Sequence, residues 1–388
     1  MQIQGTRQGS LVKNLDGHMA YRSFRPAPLD SILPLELSDE TSACISACNR
    51  KLGELVGMSR FIPNADMYLT MYVRKEALLS AQIEGAQCTF DDVLNPQNQD
   101  AIHREVSEVV SYINAMSCAV ERMKEFPLCT RLLREVYKVL LANTRGDSKP
   151  PGEMRISQNW IGPAGCTLQE APYIPPNVED MRDALSDLDK FINYQENLEP
   201  VVKAALVHYQ FETIHPFLDG NGRLGRLLIT LSLINDGVLP NAILYPSYQL
   251  KARRSEYYQR LTDVRERGAY EAWVDFFCTC LLESTEDAIE SMGRLVEVHA
   301  DAERRIRERM GRGVSNALRL LELIERHPIL DIPFAVEELS LSRSGVTSLV
   351  KDFCELDILS IRDDGRQRYR VYTFDAYLDI LRGGADPL

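Results

Sequence analysis

Residues 215–226 read His215-Pro-Phe-Leu-Asp-Gly-Asn-Gly-Arg-Leu-Gly-Arg226, and they join two apolar segments that have the pattern of helices. Gly220 and Gly222 allow the backbone to turn its N–H groups toward one point just before the second helix. Such a nest at a helix N-terminus binds anions, and phosphate oxygens suit it well. The segment therefore predicts a phosphate-binding loop within a helical fold.

The charged side chains of this loop suit the same chemistry. Arg223 and Arg226 are three residues apart, so they lie on one helix face and both can reach one polyphosphate. Asp219 supplies a hard oxygen ligand for Mg²⁺, and His215 can accept a proton near neutral pH. A base, a metal ligand, an anion nest and paired cations together predict phosphoryl or nucleotidyl transfer.

A plain structural alternative exists for each of these residues. A His-Pro pair can simply end a helix, and a glycine can simply cap one. The alternative is reasonable for any single residue, since lone histidines and cap glycines are common, but it is weak for the whole set taken jointly. The chain contains no Gly-Lys dipeptide, which excludes a Walker P-loop as the phosphate site.

The loop resembles the Fic motif, HPFx(D/E)GNGRxxR, and matches it at every defined position. The resemblance implies an all-α Fic core that uses Mg-ATP and transfers AMP to a Ser, Thr or Tyr hydroxyl of a target protein, releasing diphosphate. It implies that His215 deprotonates the hydroxyl and that Asp219 holds Mg²⁺. The implied nucleotide-binding residues are Gly220, Asn221 and Gly222 of the anion hole, together with Arg223, Leu224, Gly225 and Arg226.

Residues 150–176 are rich in Pro and Gly, which predicts an extended hairpin or flap between helices. Gln158–Gly162 and Tyr173–Pro176 resemble the family's target-positioning hairpin. That resemblance implies that an extended target segment lines up along the flap edge, where one hydroxyl meets His215. An ordinary surface hairpin is the alternative, and Trp160 could equally anchor the core.

The segment Lys251–Tyr258, KARRSEYY, resembles a second family feature more loosely. The resemblance implies that Tyr258 lines the nucleotide pocket. Many relatives carry Asn before the paired tyrosines, whereas this chain has Arg253, so the adenine contact stays open. A tyrosine pair at a helical position can also serve packing alone.

Residues 80–85, SAQIEG, resemble the inhibitory motif (S/T)xxxE(G/N) of Fic proteins whose inhibitor lies in the same chain, the class II type. The resemblance implies inhibitory roles for Ser80, Glu84 and Gly85. A Glu84 carboxylate paired with Arg226 would occupy the cation meant for the γ-phosphate of ATP. Taken alone, Glu84 could be a solvated residue and Ser80 an ordinary surface serine.

A chain of 388 residues is long enough for two or three domains. Residues 1–65 predict an irregular wrapping segment with one helix near residues 38–56, and most of residues 66–291 predicts an all-α domain with one flap. The expected fold is mainly α, with the flap and a small C-terminal winged-helix domain. The expected divisions are 1–125, a helical region with the inhibitory helix; 126–283, the Fic catalytic core; 284–310, a connecting helix; and 311–388, the winged-helix domain.

The winged-helix prediction comes from three short helical patterns at 315–326, 334–340 and 344–355, followed by a hairpin with its turn at Asp363–Gly365. Basic residues of this region could contact DNA phosphates. Nearby acidic residues leave protein contact or folding support equally open. The basic residues are Arg343, Lys351, Arg362, Arg366, Arg368 and Arg370; the acidic ones are Asp352, Glu355, Asp357, Asp363 and Asp364.

Composition restricts the protein class. A net charge of −12 argues against a chain-wide nucleic-acid surface, and nine cysteines without a CxxC pair indicate reduced thiols rather than a disulfide framework. No apolar run approaches the roughly 20 residues of a membrane span, and residues 1–10 lack an apolar signal core. We therefore expect a cytoplasmic protein with no membrane partner.

Two other functions stay open. The same site could remove AMP from modified protein, with Glu84 orienting a water. The chain could instead be a DNA-binding regulator whose Fic core only senses nucleotide. The family resemblance also implies a homodimer formed through the Fic core.

Overall fold

The computed structural model describes residue 3 and residues 6–61, 65–95, 104–142, 152–163, 165–362 and 370–388, without the side chains of residues 61, 65–67 and 312. Most described residues are helical, as the sequence predicts. Up to the end of the central core the helices are α1 Asp39–Phe61, α2 Ala65–Ile83, α3 Phe90–Leu94, α4 Arg104–Arg122, α5 Thr130–Leu140, α6 Val178–Tyr194, α7 Pro200–Ile214, α8 Asn221–Asn235, α9 Ser247–Ala252 and α10 Arg254–Arg267.

The N-terminal segment differs from the prediction. Strands β1 Gly9–Asn14 and β2 Tyr21–Pro26 pair antiparallel, so residues 1–125 are not only helical and residues 1–65 are not simply irregular. The strand pattern is weak because Gly, Pro and charged residues interrupt it. Tertiary contacts stabilise it instead: Phe24 is fully buried near Tyr173, and its N–H donates to the carbonyl of Ile174 at 2.9 Å.

Helices α7 and α8 form the centre of the core. Every residue from Val201 to Ile214 is buried, and α8 is buried nearly throughout. A helix that is buried on all sides has neighbours on every face. Pro200 opens α7 and the side chain of Glu199 caps it by accepting from the N–H of Val202 at 2.9 Å. The loop between these helices is therefore held at both ends by rigid elements.

Helix α11, Tyr270–Arg309, is one continuous helix of 40 residues. The sequence predicts a separate connecting helix over residues 284–310, and the predicted boundary between residues 283 and 284 falls inside α11. No proline interrupts α11. The loss of helix stability at Gly293 is too small to break a helix that packs along α1. The indole of Trp273 is buried and donates to the carbonyl of Ala205 at 2.8 Å, which fixes α11 against α7.

Residues 311–388, called the C-terminal module below, combine short helices with a three-stranded antiparallel sheet of order β3-β5-β4. This order of elements matches the one expected of a winged helix, and that assignment stays a prediction. The predicted turn Asp363–Gly365, with Arg366 and Arg368, lies outside the described residues. The elements are α12 Val314–Arg326, β3 Ile329–Asp331, α13 Ile332–Leu339, α14 Arg343–Glu355, β4 Ser360–Ile361, β5 Val371–Thr373 and α15 Asp375–Arg382.

Helix α15 was not expected from the sequence. It packs against α11, and its side chains Tyr377, Leu378 and Leu381 are buried. None of the nine cysteines forms a disulfide. Within the described ranges, every helix is too short or too polar to cross a bilayer.

Candidate active site

His215 ends helix α7 in a left-handed conformation, with φ of 50°, and its N–H still donates to the carbonyl of Phe211 at 3.0 Å. The loop that follows is braced from both sides. The Phe217 ring stacks on Tyr137 with centroids 3.7 Å apart, and the Asn221 amide bonds both the N–H and the carbonyl of Phe217 at 2.9 Å. Asn221 therefore sets the loop shape from the first turn of α8.

The His215 imidazole is only partly accessible to solvent, and its Nδ1 lies 3.4 Å from the carbonyl of Glu212. Burial, together with the positive charges of Arg265 and Arg155, holds the pKa of His215 well below its ordinary value. The ring is therefore neutral at pH 7, the form that can accept a proton.

Three glycines of the loop stand where a side chain would be strained or would collide with a neighbour. Gly220 caps α8 at φ of 68°, a conformation that other residues rarely adopt, and its N–H donates to Asp219 Oδ1 at 2.8 Å. A Cβ at Gly222 would lie 2.6 Å from Glu84 Oε1, and one at Gly225 would lie 2.2 Å from Glu212 Oε1. Side chains at these two positions would collide with buried or paired carboxylates.

Both motif arginines are engaged by one carboxylate. Glu84 Oε1 lies 2.8 Å from Arg226 Nη2, and Glu84 Oε2 lies 3.4 Å from Arg223 Nε. The Glu84–Arg226 pair expected from the sequence is thus present, although its inhibitory effect stays a prediction. Arg226 is almost fully buried, whereas the Glu84 side chain is 34% exposed. Arg223 has a second acidic neighbour, because its Nη1 lies 3.4 Å from Glu108 Oε2.

Ser80 completes the arginine environment. Arg226 Nε donates to Ser80 Oγ at 2.8 Å, and Arg226 Nη2 donates to the Ser80 carbonyl at 2.9 Å. Ser80 is fully buried, so it is not an ordinary surface serine. Gly85, at φ of 101°, ends the segment just beyond α2.

A cleft of about 230 Å³ opens beside these groups. Among the described residues, no group of three or more His, Cys, Asp or Glu side chains could hold a metal by itself. A cation beside Asp219 would therefore need ligands beyond the described side chains, and Mg²⁺ commonly takes these from phosphate oxygens and water. The lining residues are Ala81, Glu84, Gly85, Ala86, Glu105, Glu108, Asp219 and Arg223.

The flap is tied to the loop by Arg155, which the sequence did not single out, and by Asn159 of the stretch Gln158–Gly162. Arg155 is buried, its N–H donates to the Pro216 carbonyl at 3.0 Å, and its Nε donates to the His215 carbonyl at 3.1 Å. Asn159 Nδ2 donates to the His215 and Phe217 carbonyls at 3.2 and 2.9 Å. The flap is therefore held directly on the candidate base.

The flap arms pair through Ile161 and Tyr173, whose backbones exchange hydrogen bonds of 2.9 and 3.4 Å. Trp160 is 42% exposed, so the alternative that it anchors the core is wrong. Its indole donates to the Cys166 carbonyl at 2.9 Å within the flap.

The tyrosine pair divides into an inner and an outer residue. Tyr257 is fully buried and its hydroxyl lies 3.0 Å from His208 Nε2, whereas Tyr258 is 41% exposed. Arg254 lies against the Tyr258 ring at 5.4 Å, and its Nε donates to the Ile83 carbonyl at 2.7 Å. Arg253, the departure from the family pattern, pairs with Glu283 at 2.8 Å.

Sequence reasoning also missed two buried groups behind the loop. His208 Nδ1 lies 2.8 Å from the Gly225 carbonyl, and burial lowers the pKa of His208 to about 3. Burial raises the pKa of Glu212 to about 7, and Glu212 Oε1 has no hydrogen-bond partner among the described residues. Both residues lie on α7 within seven positions of His215, but nothing local marks them as different from packing residues.

Two family models match the chain in order. The Fic/DOC family N-terminal model matches residues 42–121, and the Fic/DOC family model matches residues 127–233. The proteins named Protein adenylyltransferase Fic from Drosophila sechellia and Drosophila melanogaster are 28% identical over 225 residues, which is 56% of this chain and 41% of each relative. The match thus spans less than half of those relatives.

The fold has a solved counterpart. The crystal structure of a Fic family protein from Desulfovibrio desulfuricans matches with a TM-score of 0.53 and 22% sequence identity, over 88% of this chain and 97% of that chain. The two matched segments follow each other in the chain, and the second contains the complete motif loop of residues 215–226. Both agree with this similarity of fold. Residues 42–121 and 127–233 are thus similar to the two Fic/DOC family models, and the fold is similar to that of a solved Fic family protein.

Proposed function

We propose that this protein is a protein adenylyltransferase that moves AMP from ATP to a Ser, Thr or Tyr hydroxyl of a target protein and is inhibited by its own Glu84. The observation that supports it best is the engagement of both Arg223 and Arg226 by Glu84, at the helix N-terminus that follows His215. A polyphosphate and this carboxylate would use the same two cations. The name of the Drosophila relatives agrees with this activity.

In this proposal the hydroxyl oxygen of the target attacks the α-phosphorus of ATP. The bond from that phosphorus to the oxygen bridging the β-phosphate breaks, and diphosphate leaves. His215 accepts the hydroxyl proton, and the negative charge of bound ATP would raise the pKa of its imidazole toward neutrality. Backbone N–H groups from Gly220 to Gly222 and the two arginines face the phosphate charge.

Asp219 is the residue that would hold Mg²⁺, because its carboxylate lines the cleft next to Arg223. When bound, Mg²⁺ would neutralise phosphate charge and help diphosphate leave. Tyr258 is the candidate contact for the adenine, since it is partly exposed beside the end of α2.

The target would dock on the flap. Ile156 is 83% exposed and Trp160 is partly exposed, and both lie within one residue of the side chains that hold the His215 carbonyl. Exposed apolar residues beside a reactive group favour a polypeptide partner over a small acceptor. A homodimer, DNA contact through the C-terminal module and a cytoplasmic location are further proposals that come from resemblance and composition.

Incubation of the full chain with candidate proteins and ATP labelled at the α-phosphate tests the function. We expect label on protein with the wild type, more label with Glu84→Gly, and none with His215→Ala. ATP labelled at the γ-phosphate should leave protein unlabelled, because diphosphate departs. Labelling from the γ-phosphate would show a kinase instead, and release of AMP from modified protein without labelling would favour AMP removal.

A further inference from the structure

The inhibitory helix α2 is held on two opposite faces. Successive helical residues are rotated by about 100°, so Ser80 and Glu84 project toward Arg226 while Gln82, two residues from each, projects to the other side. Gln82 is fully buried there. Its Nε2 donates to the Cys88 carbonyl at 2.9 Å and to the Ala385 carbonyl at 2.8 Å. The face opposite the active site thus contacts the C-terminal module.

Residues 382–386 of that module, called the clamp segment here, make several bonds in this region. Arg382 forms a forked pair with Asp91 of helix α3, with both distances at 2.9 Å. Such paired, planar contacts are among the stronger charge-assisted hydrogen bonds. Because α3 follows α2 directly, the pair fixes the chain just beyond Glu84.

A second anchor comes from helix α9. Lys251 Nζ donates to the Gly384 carbonyl at 2.9 Å and also to the Asp386 carbonyl. Gly384 has φ of 70°, and a Cβ there would lie 2.1 Å from a ring carbon of Tyr248. The clamp segment is therefore fitted between α9 and the end of α2 rather than lying loosely on the surface.

We propose that the clamp segment holds the end of α2 in the position where Glu84 pairs with Arg226, so that movement of the C-terminal module controls inhibition. The inference rests on the proposed function and names the regulation of that same site. Loss of the clamp removes the Ala385 carbonyl from Gln82 and the Arg382 guanidinium from Asp91, and it lets residues 80–85 move away from Arg226. A ligand that draws the module away from α2 would then activate the enzyme.

Three changes in the full chain test this device. Arg382→Ala and Gln82→Leu each remove clamp contacts without touching the active-site face, and we expect roughly three- to tenfold faster AMP transfer, the effect of about one hydrogen bond. In the same two variants, amide hydrogen exchange of residues 76–85 should become faster. Arg343→Ala is the matched control, since Arg343 is an exposed arginine of the same module.

Combining Arg382→Ala with Glu84→Gly distinguishes a change in regulation from a general loss of structure. With Glu84 absent, Arg382→Ala should add no further activity, because both changes act through one contact. Transfer and exchange at wild-type levels in both Arg382→Ala and Gln82→Leu would overturn the clamp. If Glu84→Gly itself transferred no AMP, the proposed function would fail, while hydrogen exchange would still decide whether the clamp exists.

Discussion

Glu84 Oε1 lies 2.8 Å from Arg226 Nη2, although the two residues are separated by 142 positions in the chain. The same carboxylate reaches Arg223, and Gly222 leaves the space that it occupies. The pair joins α2 to the first turn of α8, a helix N-terminus of the kind that binds phosphate. Under the proposed function, release of this contact would free both arginines and activate the enzyme.

Replacement of Glu84 by Gly should raise AMP transfer. A charge-assisted hydrogen bond contributes about 1.5–3 kcal/mol, and partial exposure of Glu84 places this pair at the lower end of that range, so we expect roughly a tenfold increase. Self-modification should increase as well, because the chain is its own acceptor at high effective concentration. The double variant with His215→Ala should show no transfer. Equal rates for wild type and Glu84→Gly at saturating Mg-ATP would remove the inhibitory role.

Arg226 should contribute most to ATP affinity when Glu84 is absent. In the Glu84→Gly background, Arg226→Ala should weaken ATP binding by roughly 1.5–3 kcal/mol, or about ten- to a hundredfold, as measured by calorimetry. In the otherwise unchanged chain the loss should be smaller, since Glu84 already competes for this cation. An equal loss in both backgrounds would contradict competition at Arg226.

Arg155 should position the flap rather than bind nucleotide. Arg155→Ala removes the donors to the His215 and Pro176 carbonyls, so the rate of transfer to a protein target should fall by roughly tenfold or more. ATP affinity should change little, because the phosphate groups are held elsewhere. Arg155→Lys should recover part of the rate. A selective loss of ATP affinity would assign Arg155 to the nucleotide site instead.

Glu212 predicts a pH effect on stability. Its pKa is about 7 in the folded chain against 4.5 normally, so the folded state binds more protons between these pH values. Stability from this group should therefore fall as pH rises from about 4.5 to about 7, by at most about 3 kcal/mol. Glu212→Gln should raise the melting temperature at pH 8 but not at pH 4. The exposed Glu322→Gln should change neither value, and a pH-independent effect of Glu212→Gln would contradict the prediction.

Assembly can be measured directly. We expect a homodimer, and therefore about twice the 44.0 kDa chain mass by light scattering at micromolar concentration. A single species at the chain mass across that range would count against it.

Helices and the motif could be predicted from the sequence because they depend on residues close together in the chain. Helix periodicity predicted an all-α domain over most of residues 66–291, and the motif placed His215, Asp219 and the two arginines within twelve residues. The β1–β2 hairpin and the continuity of α11 were missed. The hairpin depends on contacts with the flap, and α11 depends on packing along α1.

Contacts between distant segments were decided by tertiary structure. Resemblance suggested that Glu84 meets Arg226, but no residue pattern indicated that Arg155 holds the His215 carbonyl or that Gln82 meets Ala385. Backbone preference and side-chain periodicity act over a few residues, so they determine each element and the chemistry that it carries. The contacts between the faces of distant elements depend on how the whole chain packs. That packing placed the C-terminal module against helix α2.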